Sequence, residues 1–225
     1  MLKEEAEKLS QEQKIDITQI VREEWEIKIL KVLFDSLLGK KIYFKGGTAL
    51  RLAYGSPRFS EDLDFTQIKS ISKKDTDDFL VKIKSTYPEI DLNDYMDKFY
   101  TLLLEFKIKE EYLPRSFSIK IEISKRQTKQ YIFSLFLLTS RTTNLQVLAN
   151  VENIESIYEE KLLAIKTRSK PRDLFDLWFI SQKQKMILPR NLPKLRKNFL
   201  RQELNLFLPK NYQDLVKQLE ADYGQ

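Results

Sequence analysis

A glycine pair and, a helix and a loop later, two aspartates spaced i, i+2 constrain this chain more than any other feature. Residues 44–65 read Phe-Lys-Gly-Gly-Thr-Ala-Leu-Arg-Leu-Ala-Tyr-Gly-Ser-Pro-Arg-Phe-Ser-Glu-Asp-Leu-Asp-Phe. Residues 41–44 form a short apolar run and read as a strand. Gly46 and Gly47 then make a tight turn into a helical pattern over residues 48–54, which Gly55, Ser56 and Pro57 stop. Residues 62–66 alternate in polarity and read as a second strand.

On a strand, Asp62 and Asp64 point to the same face, with Leu63 and Phe65 turned to the core. Two carboxylates this close repel unless a cation lies between them. Magnesium suits the position, with oxygen ligands at roughly 2.0–2.1 Å. The competing reading is a solvated face of an edge strand. Gly46 and Gly47 let backbone approach a phosphate closely, the following helix offers unpaired N–H groups, and Thr48 adds a hydroxyl. An ordinary strand-to-helix turn also favours glycine. Neither a Walker A loop nor Gly-x-Gly-x-x-Gly is present here. Arg51 and Arg58 flank the turn and can neutralise a triphosphate, and Ser60 lies on the Asp62 face. Residues 117–124 predict a strand with Ile119, Ile121 and Ile123 buried and Lys120 and Glu122 opposite, which makes Glu122 the candidate third metal ligand. Two metals about 3.5–4 Å apart would clamp an in-line displacement at phosphorus.

The sequence contains no cysteine and no histidine. Disulfides, thiolate nucleophiles, imidazole bases and Cys/His zinc sites are thereby excluded. Residues 1–13 are charged with no apolar centre, and residues 131–139, the most apolar long run, are too short to span a bilayer. The expectation is a soluble, cytoplasmic protein without a membrane partner. Residues 161–225 hold 14 Lys/Arg against 6 Asp/Glu, whereas residues 1–160 hold 25 against 27. Seven basic residues and no acidic one fall within residues 183–201. Such asymmetry suits a polyanion such as RNA, or a solvated lysine-rich face.

Apolar spacing predicts one or two helices over residues 11–38, ending at Gly39, and a helix over 72–87 with Ser72 as N-cap. Further strands are predicted at 100–108, 131–139 and 145–149. After residue 150 only helices are predicted, at 152–167, 171–181, 192–207 and 212–219. The chain thus divides into residues 1–150, mixed helix and strand, and residues 151–225, a helical bundle. In the second part Lys161 and Arg168 share a helix face, and Asp173 and Asp176 lie one turn apart at the start of the next helix. Asp173 can complement the helix dipole and Asp176 can pair with Lys161.

Gly46-Gly-Thr-Ala-Leu-Arg51, Arg58-Phe-Ser-Glu-Asp-Leu-Asp-Phe65, Glu160-Lys-Leu-Leu-Ala164 and Arg172-Asp-Leu-Phe-Asp176 occur in that order. Together they resemble the AbiEii/AbiGii (MenT-like) nucleotidyltransferase toxins, a resemblance that implies a toxin–antitoxin system and abortive infection. The resemblance implies an α+β fold: a polymerase-beta-like nucleotidyltransferase domain with a mixed sheet, then an all-helical bundle. It implies a nucleoside triphosphate donor, Mg2+, an RNA acceptor, the tRNA 3′ end above all, and a cognate antitoxin. By position, Gly47 and Thr48 match the family's Gly-Ser-type loop, and Asp62 and Asp64 its metal acids. Arg58 and Ser60 match the segment before those acids. Lys161 matches the downstream lysine, and Asp173 or Asp176 the final acid. The alternatives are a nucleotide-binding module without turnover, and nucleotidyl transfer to a protein or small-molecule hydroxyl.

Overall fold

The computed structural model describes residues 1–126 and 132–225. Helices α1 (Lys3–Gln13) and α2 (Ile17–Phe34) lead through a short 3-10 turn to β1 (Ile42–Lys45) and α3 (Gly46–Leu52). Then come β2 (Asp62–Gln67), α4 (Lys73–Thr86), β3 (Asp91–Asp97), β4 (Thr101–Ile108), β5 (Phe117–Ser124), β6 (Phe133–Ser140) and β7 (Thr143–Glu152). Helices α5 (Ile154–Arg168), α6 (Pro171–Lys183), α7 (Lys197–Phe207) and α8 (Gln213–Tyr223) complete the α+β architecture.

The strands form one mixed sheet in the order β3-β4-β5-β2-β1-β7-β6. Strand β2 runs antiparallel to β1 and parallel to β5. Alternation decides which side of the sheet is dry. Ile42 and Phe44, Leu63 and Phe65, Leu102 and Leu104, and Ile119, Ile121 and Ile123 are all buried on one face. Trp25, Ile29 and Leu33 of α2 and Phe79 and Ile83 of α4 cover that face. Each such fully buried side chain stabilises the fold by about 1.5–3 kcal/mol. Leu50 of α3 belongs instead to a second apolar cluster with Ile157, Phe175, Leu177, Leu200, Leu204 and Val216 from α5 to α8. The glycine turn therefore sits between the two cores.

Helix starts follow their side-chain caps. Asp16 accepts from Thr18 N at 2.8 Å, and Ser72 and Asp75 form a reciprocal capping box before α4. Several expectations are corrected. α1 buries only Ala6, so its charged sequence carries no apolar stripe to predict it, and Lys14 at φ 54° breaks it from α2. β3 is an edge strand with no buried residue, held by pairing to β4 rather than by its own pattern. Residues 192–196 are not helical: Pro193 disfavours helix at Leu192, and Leu195 bridges Gly224. β7 extends to Glu152, and α3 starts at Gly46 rather than residue 48. Tyr131, where the β6 strand was expected to begin, lies outside the described residues.

Candidate active site

Sheet register brings the glycine turn to the acids. Lys45 lies opposite Asp64 in the β1–β2 pair, so Gly46, the next residue, abuts the Asp64 carboxylate. A β-carbon at Gly46 would lie 2.5 Å from Asp64 Oδ2, and the residue sits at φ 78°, where side chains are strained. A β-carbon on Gly47 would run into the Arg58 guanidinium and the Ser60 hydroxyl. Thr48 Oγ1 donates to the Asp62 carbonyl at 2.6 Å and so ties α3 to β2 at the first acid. Asp62 and Asp64 occupy the half-buried side of β2, while Leu63 and Phe65 are fully buried opposite.

Gly46→Ala is accordingly expected to lower stability by about 1–2 kcal/mol, the cost of a left-handed alanine. It would also push Asp64 aside, and misplacement of a reacting group by about 1 Å costs on the order of a hundredfold in rate. Thermal melts and turnover assays on the same preparation check both effects.

Burial and then the Asp62 charge push the Asp64 carboxyl up to about 6, against the pull of Lys161 and Lys45. Burial also raises Asp62, against Lys120 and Arg172. Both acids are thus short of positive charge, and their donor atoms are hard oxygens, so the pair fits a hard divalent cation. Among the described residues no group of three or more acids gathers where it could hold one ion. Glu122 lies beside Asp64 in the β2–β5 register, but its Oε2 accepts from Lys120 Nζ at 2.7 Å.

Behind the acids lies an ionic chain that is buried except at Arg168. Arg58 grips Asp176 through Nε and Nη2 at 2.7 and 2.9 Å and donates to the Phe59 carbonyl. Lys161 Nζ stands 2.6 Å from Asp176 Oδ2 and 3.0 Å from Asp173 Oδ1. Arg168 closes the chain with two bonds of 2.7 Å to Asp173. The spacings explain it: Asp173 and Asp176 share one face of α6, and Lys161 and Arg168 share one face of α5. Burial pushes both aspartates up, but the adjacent cations override it and hold them below the usual carboxylate range.

Above the sheet these elements enclose a cleft of about 320 Å³. Asp64, Glu122, Glu160, Lys45, Lys161, Arg168 and Arg126 supply its charged lining, and Lys45 Nζ donates to Glu160 Oε1 at 2.6 Å. Three expected phosphate contacts are corrected by their surroundings. Arg51 stacks 3.3 Å over the Phe59 ring, pairs with Glu23 and donates to the Ser56 and Pro57 carbonyls, turned towards α2. Arg58 is 2% exposed and fully engaged beneath Gly47. The Thr48 hydroxyl is buried and already donated. Asp173 and Asp176, offered as alternatives, both contact Lys161. Lys45 and Arg126 went unnoticed in the sequence. The signal for Lys45 is its alternation with Phe44 at the strand end just before the glycines.

A family model described as the nucleotidyl transferase AbiEii toxin of type IV toxin–antitoxin systems matches residues 28–224. The chain belongs to this AbiEii family. It is a nucleotidyltransferase, and a family of toxin–antitoxin systems implies a nucleotide substrate and an antitoxin partner. The crystal structure of JHP933 from Helicobacter pylori is similar, with 27% identity and a TM-score of 0.58, over 93% of this chain and 80% of that one. MenT4, a nucleotidyltransferase toxin of Mycobacterium tuberculosis, shares the fold at 17% identity and a TM-score of 0.55, over 93% of this chain and 68% of its own. A comparison with curated proteins finds no match. Among the described residues no helix is long and apolar enough to cross a membrane.

Proposed function

We propose that this AbiEii-family enzyme transfers a nucleoside monophosphate from a nucleoside triphosphate to a hydroxyl of RNA, the tRNA 3′ end foremost. The observation that carries the reading is the seat of Asp64: a half-buried carboxylate with a raised pKa beside Asp62, touching a glycine turn and facing a cleft lined by lysines and arginines as well as acids.

In this reading the acceptor hydroxyl attacks the α-phosphorus of the donor and pyrophosphate leaves. Asp62 and Asp64 would hold Mg2+, which supplies charge neutralisation at phosphate oxygens and acidifies a nearby hydroxyl. Gly46 and Gly47 give the triphosphate close approach to backbone, with Ser60 beside them. Lys45, paired with Glu160, and the half-exposed Arg168, paired with Asp173, would turn part of their charge to it from either side of the cleft. Lys161 is fixed by both α6 aspartates and presents a rigid cation towards Asp64. Arg58 and Asp176 hold the floor under Gly47. Glu122, next to Asp64 and bonded to Lys120, or Asp64 itself would take the hydroxyl proton. Positioning and charge stabilisation carry the rate, because the protein forms no covalent bond.

All seven basic residues of the 183–201 stretch are exposed. They supply the positive surface for an RNA backbone. Incubation with an α-labelled triphosphate, magnesium and total tRNA is expected to place label in RNA. Label in protein, or none in any acceptor, would overturn the reading. Charge reversal at Lys194, Arg196 and Lys197 should weaken RNA binding and flatten its salt dependence by about two to three logarithmic units per decade. Triphosphate affinity should be unaltered in that variant.

A further inference from the structure

The β3–β4 hairpin turns through Lys98, Phe99 and Tyr100, and among the described residues neither aromatic ring belongs to a buried core cluster. Phe99 is 84% exposed and Tyr100 is 55% exposed. Large rings left this open at a loop tip point to a partner when they sit beside a site. The tip is nonetheless built. Lys98 N donates to the Thr101 carbonyl at 2.8 Å, and Lys125 N donates to the Tyr100 carbonyl at 2.9 Å. The two rings meet edge to face, 4.7 Å apart at 89°. The Arg126 guanidinium lies 5.7 Å over the Tyr100 ring. Thr101 and Arg126, which flank this aromatic pair, also line the active-site cleft.

We propose that Phe99 is a stacking platform for an unpaired base of the RNA acceptor, with Tyr100 as its side wall and Arg126 and Lys98 facing the neighbouring phosphates. The inference rests on the reading of the acceptor as RNA. Rings at right angles form a notch that takes one flat ring on the Phe99 face. Single-stranded nucleic acid is held by this combination of aromatic faces and cations. A protein partner would favour a broader apolar patch, whereas here two rings are flanked by exposed Lys98 and Arg126. The sheet order assigns the notch to the acceptor rather than the donor. β4 is three strands from β1, about 14 Å at ordinary strand spacing. The notch therefore opens at the far end of the cleft from the glycine turn.

The test measures binding of a fluorescein-labelled single-stranded oligoribonucleotide by anisotropy. Phe99→Ala is expected to weaken it about tenfold, the loss of one stacked base, and Phe99→Trp to retain it. The melting temperature should not move, since the ring is exposed. In the labelling assay the KM for RNA should rise while the KM for triphosphate stays constant. Unchanged oligoribonucleotide affinity would overturn the proposal. So would an equal loss of triphosphate affinity, which would assign the ring to the donor base, or a loss confined to antitoxin binding. Failure of the acceptor reading is separately visible. If no label enters RNA but the oligoribonucleotide still binds through Phe99, the platform stands and the acceptor reading falls. If label enters RNA equally well in Phe99→Ala, the platform falls alone.

Discussion

Asp64→Asn is expected to lower nucleotidyl transfer by at least about a thousandfold and, in metal-free buffer, to raise the melting temperature. The two effects have one origin. Burial and the Asp62 charge push the Asp64 carboxyl up to about 6. An acid whose folded pKa is raised is held less well as a carboxylate than in the unfolded chain. Its contribution is therefore intact below about pH 4 and is lost as pH rises through about 6. The shift corresponds to roughly 3 kcal/mol at neutral pH. Asparagine keeps the shape and removes the charge. The variant should melt several degrees higher at pH 7, given about 2–4 °C per kcal/mol for a chain of this size. The difference between the two stability curves should open between about pH 4 and 6 and stay constant above. Magnesium should raise the wild-type melting temperature and leave the variant's nearly unmoved, because a ligand stabilises only the state that binds it. A variant that melts lower than the wild type in EDTA would show that the carboxylate is a structural support, and the site assignment would fail with it.

The parts of this site that could be read in advance are those whose geometry is local. Asp62 and Asp64 share a face because strands alternate, and Asp173 and Asp176 share one because helices repeat. Gly46 was legible as a turn, and the left-handed φ of 78° is the reason a glycine stands there. What could not be read was the destination of each long side chain. Arg51 and Arg58 both flank the turn in sequence, yet Arg51 leaves for Glu23 on α2 and Arg58 for Asp176 on α6. Both partners are remote in the chain, so no spacing rule reaches them. The same holds for Lys45, whose place beside Asp64 is a matter of strand register. In the fold, β3 escaped notice because an exposed edge strand needs no apolar face, and α1 because one buried alanine leaves no period. The sheet order, with β2 between an antiparallel and a parallel neighbour, is a property of long-range pairing that the individual strands do not encode.

Removing the Asp176 carboxylate should cost more stability than any other single change at the site. The side chain is fully buried and accepts two hydrogen bonds from Arg58, itself buried, and a third contact of 2.6 Å from Lys161. Asp176→Ala strands the Arg58 guanidinium without a counter-ion, and breaking a buried pair in this way costs about 3–5 kcal/mol. At about 2–4 °C per kcal/mol the melting temperature should fall by roughly 10 °C or more. Asp173→Ala should cost less, because the Arg168 side chain is 48% exposed and can turn to water while Lys161 keeps Asp176. The double replacement Arg58→Met with Asp176→Leu removes both charges together and should recover at least about 1 kcal/mol over Asp176→Ala. It should not recover transfer, since Arg58 packs under Gly47 and Asp176 holds Lys161 towards Asp64. Denaturant unfolding of the three variants, alongside their turnover, separates the pair's part in the fold from its part in aiming Lys161. Asp176→Ala within about 1 kcal/mol of the wild type would mean that water reaches Arg58, and a dry Arg58–Asp176–Lys161 contact would then be the wrong description of the site's floor.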